Sequence, residues 1–140
     1  TFTGHSVSLA AADRTLEILD ETTALADIAD YGGKLQAGIG RILGDRDIEH
    51  SFTGHPALMG LFFASEPPRD YRGWLESDYE FYDALAPELH DVGVLVEPDS
   101  REPWFMCEAH NVECLDETLY KFERAVDITI DKLAGKPAAS

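Results

Sequence analysis

The chain has 140 residues, 44% of them hydrophobic, which suits one globular domain with a real core and argues against a disordered or low-complexity polypeptide. Its 27 acidic against 11 basic residues give a formal net charge of −16, the opposite of the field that a phosphate backbone or an anionic lipid surface attracts. Neither nucleic acid nor membrane is therefore expected as a partner, and no apolar run approaches the ~20 residues that span a bilayer. Two cysteines, Cys107 and Cys114, are too few for a disulfide framework, lack a second pair for structural zinc, and fit a reducing, cytoplasmic setting. The chain opens at Thr1 without an initiator Met and carries no signal segment, from which we expect further sequence upstream.

In chain order, an Ala-rich segment from Ser8 to Leu19 predicts a first helix. Leu25, Ile28, Leu35, Ile39 and Leu43 lie near helical spacing and predict a second, interrupted at Gly32-Gly33 and ended by Gly44-Asp45. The apolar run Leu58 to Phe63, bounded by Pro56 and by Pro67-Pro68, reads as a buried strand. Pro67 to Gly73 reads as a polar loop, followed by a helix from Trp74 to His90 broken or bent near Pro87. Val92 to Val96 and Trp104 to Cys107 read as two short strands. The closing helix is the best defined. Leu115, Leu119, Phe122, Val126, Ile130 and Leu133 fall on one face, Asn111 is placed to cap it, and Glu113 sits in its first turn. Together these elements predict an α+β fold, a small antiparallel sheet covered by helices.

Chemistry concentrates in two places. Thr1, Thr3 and Ser6 surround Gly4 just before a helix, which supplies hydroxyls and unpaired amides for an anion; simple capping is the alternative. Phe-Thr-Gly-His recurs at Phe52 to His55 before a strand instead of a helix, and is read as coincidence. The second place is the loop from Glu97 to His110, with Glu97, Asp99, Arg101, Glu102 and Glu108. A carboxylate pair such as Asp99 and Glu102 suits acid–base work, yet no nucleophile or His-Ser pairing accompanies it. His5, His50, His55, His90 and His110 show no metal-ligand spacing, so no metal site is expected.

Thr1 to Ser6 with the Ala-rich helix after it resembles the Thr-Tyr/Leu-Ser/Gly-Gly-Asn-Pro motif that opens the C-terminal region of class-III pyridoxal-phosphate-dependent aminotransferases. The resemblance runs on, in order, through Ser51 to Phe63, Asp91 to Leu95, and Pro98 to His110. The last stretch is similar to the glutamate-1-semialdehyde aminomutase ending Pro-Ser-x-Phe-Glu-Ala-x-Phe-x-Ser-x-Ala-His. It implies that residues 1–140 are the C-terminal domain of a homodimeric enzyme whose large, lysine-bearing domain lies upstream. Its substrates would be an amino acid or amine and a keto acid, with transaminase and aminomutase both open. Thr1, with Phe2 beside it, would contact the phosphate of the neighbouring subunit's pyridoxal phosphate, and Glu102 would lie on the substrate side.

This sequence departs from the motif at His5-Ser6, in place of Asn-Pro, and at Arg101, where Phe is common. Arg101 has two readings, a fork for a substrate carboxylate or a partner of Glu102. The family's Schiff-base lysine precedes Thr1, so Lys34, Lys121, Lys132 and Lys136 are read as surface or tail residues and the fragment alone as inactive. Two rival readings are a stand-alone, non-catalytic binding or dimerisation domain derived from the family, and an unrelated α+β enzyme using the Asp99 to Glu108 loop.

Overall fold

The computed structural model describes residues 3–135. Among these are five helices and a three-stranded antiparallel sheet, the architecture expected from the pattern of elements. Helix α1 (Ser6–Glu21) starts at His5, whose Nδ1 accepts from the Ser8 amide at 3.4 Å, and buries none of its residues. Helix α2 (Ala24–Gly44) buries Tyr31, Leu35, Ile39, Ile42 and Leu43.

The expected interruption of α2 at Gly32-Gly33 does not occur. Both residues are helical, and Gly32 serves packing instead: a Cβ there would lie 2.0 Å from the carbonyl oxygen of Pro56. The missing side chain lets the turn before the sheet run directly against the helix.

Strand β2 (Leu58–Phe62) is central, pairing with β1 (Ser51–Thr53) on one side and β3 (Trp104–Phe105) on the other. Four of its five residues are buried, as the apolar run requires. Strand β1 is an addition to the expected set, and β3 is two residues long where four were expected. The Met106 amide still donates to the Ala57 carbonyl at 3.1 Å.

Two further expectations are corrected. The single helix over Trp74 to His90 is two helices, α3 (Tyr71–Leu75) and α4 (Tyr79–Asp91), and the break lies before Tyr79, since α4 continues through Pro87. Asp78 makes that break by accepting from the Phe81 amide at 3.0 Å, while its own amide donates to the Phe63 carbonyl at 2.9 Å. Val92 to Val96 is no strand. Its polar groups are taken by other partners: the Val94 amide donates to Leu89 at 2.8 Å, and His90 Nε2 donates to the Val96 carbonyl at 2.6 Å.

Helix α5 (Val112–Ala134) follows the sequence reading most closely. Asn111 Oδ1 accepts from the Cys114 amide at 2.9 Å, Glu113 lies in the first turn, and Phe122 and Val126 are buried, with Leu115, Leu119, Ile130 and Leu133 packed against the core. Helices α2 and α4 flank α5, and the core they share is sealed by aromatic contacts such as Phe63 on Phe81 and Trp104 on Phe122.

Lys132 Nζ donates to Glu88 Oε1 at 2.6 Å across the α4/α5 seam, where Glu88 is 8% exposed. Removing one partner of a buried carboxylate leaves its charge without compensation. Lys132→Ala is therefore expected to lower unfolding free energy by about 1 to 2 kcal/mol, read from a denaturation midpoint, with part of the loss recovered when Glu88 is also made Gln.

Candidate functional site

Thr1 and Phe2, the expected phosphate contacts, lie outside the described residues. Beside them, Thr3, Gly4, His5 and Ser6 are exposed at the start of α1. His5 Nδ1 is 2.9 Å from Ser8 Oγ in addition to its bond with the Ser8 amide, so His5 supplies the cap. No hydrogen bond or ion pair among the described residues joins α1 to the segment 97–110.

That segment lies between two clefts. The larger, about 640 Å³, opens between α2, α5 and the chain from Gly93 to Met106; Leu35, Val94, Trp104 and Met106 help form its apolar wall. Its polar groups include Tyr31, which stacks on His110 at 5.0 Å between ring centres, together with Thr118 and Lys121. Burial pushes the Tyr31 hydroxyl's pKa up. Leu95 and Phe105 stand exposed at this cleft. The smaller, about 240 Å³, is floored by Phe62, Pro68, Tyr71 and Trp74 and edged by Arg69, Asp70 and Arg101.

The two residues expected at the substrate side part company. Arg101 does not pair with Glu102. Its Nε donates to both Asp99 oxygens at 2.9 and 3.1 Å, and its amide donates to Asp99 Oδ1 at 2.9 Å. These bonds from Arg101 hold the Asp99 carboxyl below its usual pKa. The guanidinium also lies over Trp74, 4.7 Å from its ring centre, and Trp74 stacks on Tyr79 at 4.7 Å and on Tyr71 at 5.4 Å. Trp74 Nε1 donates to Ser100 Oγ at 2.8 Å, and Ser100 is buried.

Glu102 is exposed, its amide donates to the Asp99 carbonyl at 3.0 Å, and its carboxylate has no hydrogen-bond partner among the described residues. Sequence reasoning missed the parts played by Trp74, Tyr79 and Ser100. Asp99 was in view as a carboxylate, and its spacing two residues before Arg101 was the available signal for the pair. Trp74 offered none, because the contact is made by tertiary folding.

A second group of side chains holds the approach to this turn. Tyr82 donates to the Glu97 carbonyl and accepts from Trp104 Nε1, each at 2.9 Å. The described lysines are all engaged: Lys34 with Asp30, Lys121 with Glu117 and Lys132 with Glu88. No group of three or more His, Cys, Asp or Glu side chains among the described residues is arranged to hold a metal, and no helix among them is long and apolar enough to cross a membrane.

No protein-family model matches the chain. It is 32% identical over 126 residues to the glutamate-1-semialdehyde 2,1-aminomutase of Methanothermobacter thermautotrophicus, an overlap of 90% of this chain and 30% of that protein. The FumI protein of Sphingopyxis sp. MTA144, solved in its PLP internal aldimine form, superposes with a TM-score of 0.78 at 28% identity over 94% of this chain and 29% of that one. An omega-transaminase from Sphaerobacter thermophilus shares the fold, with a TM-score of 0.64 at 20% identity over 75% of this chain and 25% of that one. The chain thus spans about 30% of the length of the curated relatives it matches. Over nine-tenths of its own length it is similar to one part of the glutamate-1-semialdehyde 2,1-aminomutases, and its fold recurs within the FumI protein and the omega-transaminase.

Proposed function

We propose that this chain is the C-terminal domain of a class-III, pyridoxal-phosphate-dependent aminotransferase or aminomutase. The intact enzyme moves an amino group between an amino acid or amine and a carbonyl acceptor, as a cytoplasmic homodimer. The observation that carries this reading is the similarity over 90% of the chain to an aminomutase about three times as long. It is supported by the free carboxylate of Glu102 at the position where the resemblance expects one.

The residues fit the cofactor as contributors and not as its sole holder. In this reading the lysine that binds the cofactor lies upstream and the 140-residue chain by itself is inactive; the ion pairs of Lys34, Lys121 and Lys132 with Asp30, Glu117 and Glu88 support it. At the other end, exposed Thr3 precedes α1 and exposed Ser6 opens it, and the first amides of the helix are only partly capped. In the intact dimer Thr1, with Phe2, holds the phosphate of the neighbouring subunit's cofactor. When bound, pyridoxal phosphate supplies the electron sink for amino transfer. Glu102 orients the substrate beside it, and the apolar faces at Leu95 and Phe105 help exclude water.

Borohydride reduction of the natural polypeptide with pyridoxal phosphate, which fixes a lysine-bound cofactor covalently, followed by intact mass, tests this. A chain about three times this length carrying one reduced cofactor is expected. A natural product of this size with no adduct would overturn the enzyme reading in favour of a stand-alone binding or dimerisation domain. Thr1→Ala in the intact protein is expected to raise the cofactor's dissociation constant about tenfold by removing one charge-assisted hydrogen bond, measured by equilibrium titration of cofactor absorbance. Unchanged affinity would remove Thr1 from the site.

A further inference from the structure

An exposed ion pair two residues apart is ordinarily worth little, because solvent screens it and both side chains lose freedom. The Arg101–Asp99 pair is not isolated in that way. The guanidinium is forked by Asp99 on one side and laid on the face of Trp74 on the other, and the indole beneath it is fixed by the bond to buried Ser100 and by the stack on Tyr79. Every residue of the 99–102 turn is thereby engaged: Asp99 through its side chain and its carbonyl, Ser100 through Oγ, Arg101 through its amide and guanidinium, and Glu102 through its amide. The Glu102 carboxylate alone remains free.

Charge leads to the same place. Without Arg101 this short turn would carry two unneutralised carboxylates, Asp99 and Glu102, and like charges at close range disfavour each other's ionised form. With Arg101 committed to Asp99, the only uncompensated charge on the turn is that of Glu102.

We propose that Arg101 is a positioning residue for Glu102: clamped by Asp99 and stacked on Trp74, it fixes the 99–102 turn so that one free carboxylate faces the substrate. This rests on the reading of Glu102 as the substrate-side group. Arg101 acts through the turn and does not touch substrate.

Hydrogen exchange read by mass spectrometry on the intact protein tests the clamp. Arg101→Ala and Asp99→Asn are each expected to speed exchange in residues 99–103 about tenfold while α4 and α5 keep their protection. Arg101→Lys should fall between, since it keeps the charge and loses the planar fork. If Arg101→Ala also loosens α4, Asp99→Asn decides, because it preserves the side chain's shape. Unchanged exchange at 99–103 in both variants overturns the proposal.

Turnover of the probe glutamate 1-semialdehyde supplies the second arm. Arg101→Ala is expected to lower kcat, and to lower it no further in a Glu102→Gln background. A raised KM with kcat intact, or the same fold loss in both backgrounds, would mean that the guanidinium meets substrate and would overturn the positioning role alone. Full turnover by Glu102→Gln itself would overturn the reading of Glu102 and the positioning role with it.

Discussion

Gly32→Ala is expected to destabilise the protein by about 3 kcal/mol or more, while the adjacent Gly33→Ala stabilises it by up to about 1 kcal/mol. The two glycines stand side by side in α2, and neither has a positive φ, so backbone strain does not separate them. Space does. A Cβ on Gly32 would sit 2.0 Å from the Pro56 oxygen and 2.5 Å from its carbonyl carbon, backbone atoms that cannot rotate away, whereas a Cβ on Gly33 meets nothing within 4 Å. Relief at Gly32 requires moving the turn that feeds β2, and β2 is the strand to which both others pair. Urea denaturation of the two variants checks the pair. A Gly32→Ala midpoint within about 1 kcal/mol of the parent would mean that the Pro56 turn yields without cost to the sheet.

The same glycines show where a sequence stops being legible. Periodicity identifies which faces are buried, and it served well for α5 and β2, where Phe122, Val126, Met59 and Leu61 lie in the core. It also gave α2 its extent, but a glycine pair inside a helical pattern reads as a weakness unless the approaching backbone is known, and Pro56 arrives from a different element. Val92 to Val96 failed for a related reason. A β-branched run of that length suits a strand, yet its groups bond to Leu89, to the His90 side chain and, at the next residue, to Tyr82.

The candidate site divides along the same line. The resemblance implies Glu102, its departure from the motif singles out Arg101, and both lie in a loop rich in charge. Which of them is free depends on Asp99, close in sequence, and on Trp74, close only in space. Thr1 and Phe2, the other residues that the resemblance implies for the site, lie outside the described residues.

Tyr82→Phe should cost about 1 to 3 kcal/mol, because one hydroxyl serves two partners and its removal orphans the buried one. The Trp104 Nε1–H would lose its acceptor in a buried position, and the Glu97 carbonyl its donor. The shape of the ring is retained, so a loss of that size would belong to hydrogen bonding and not to a cavity.

The effect also carries a pH signature. Burial pushes the Tyr82 hydroxyl from its ordinary 10.0 up to about 12, so the unfolded chain gives up that proton first. The contribution from this group is therefore complete below pH 10 and is lost as pH rises toward 12, a difference of about 2 to 3 kcal/mol between the ends of that window. Tyr82→Phe should start less stable at pH 8 and lose less on the way to pH 12, so that the two stability curves converge. Parallel curves would mean that Tyr82 ionises as freely in the folded protein as in the unfolded chain, which a buried hydroxyl bonded to both the Glu97 carbonyl and Trp104 does not permit. Because Glu97 and Trp104 flank the 98–103 turn, Tyr82→Phe should also speed hydrogen exchange there, linking the most buried hydroxyl of α4 to the freedom of Glu102.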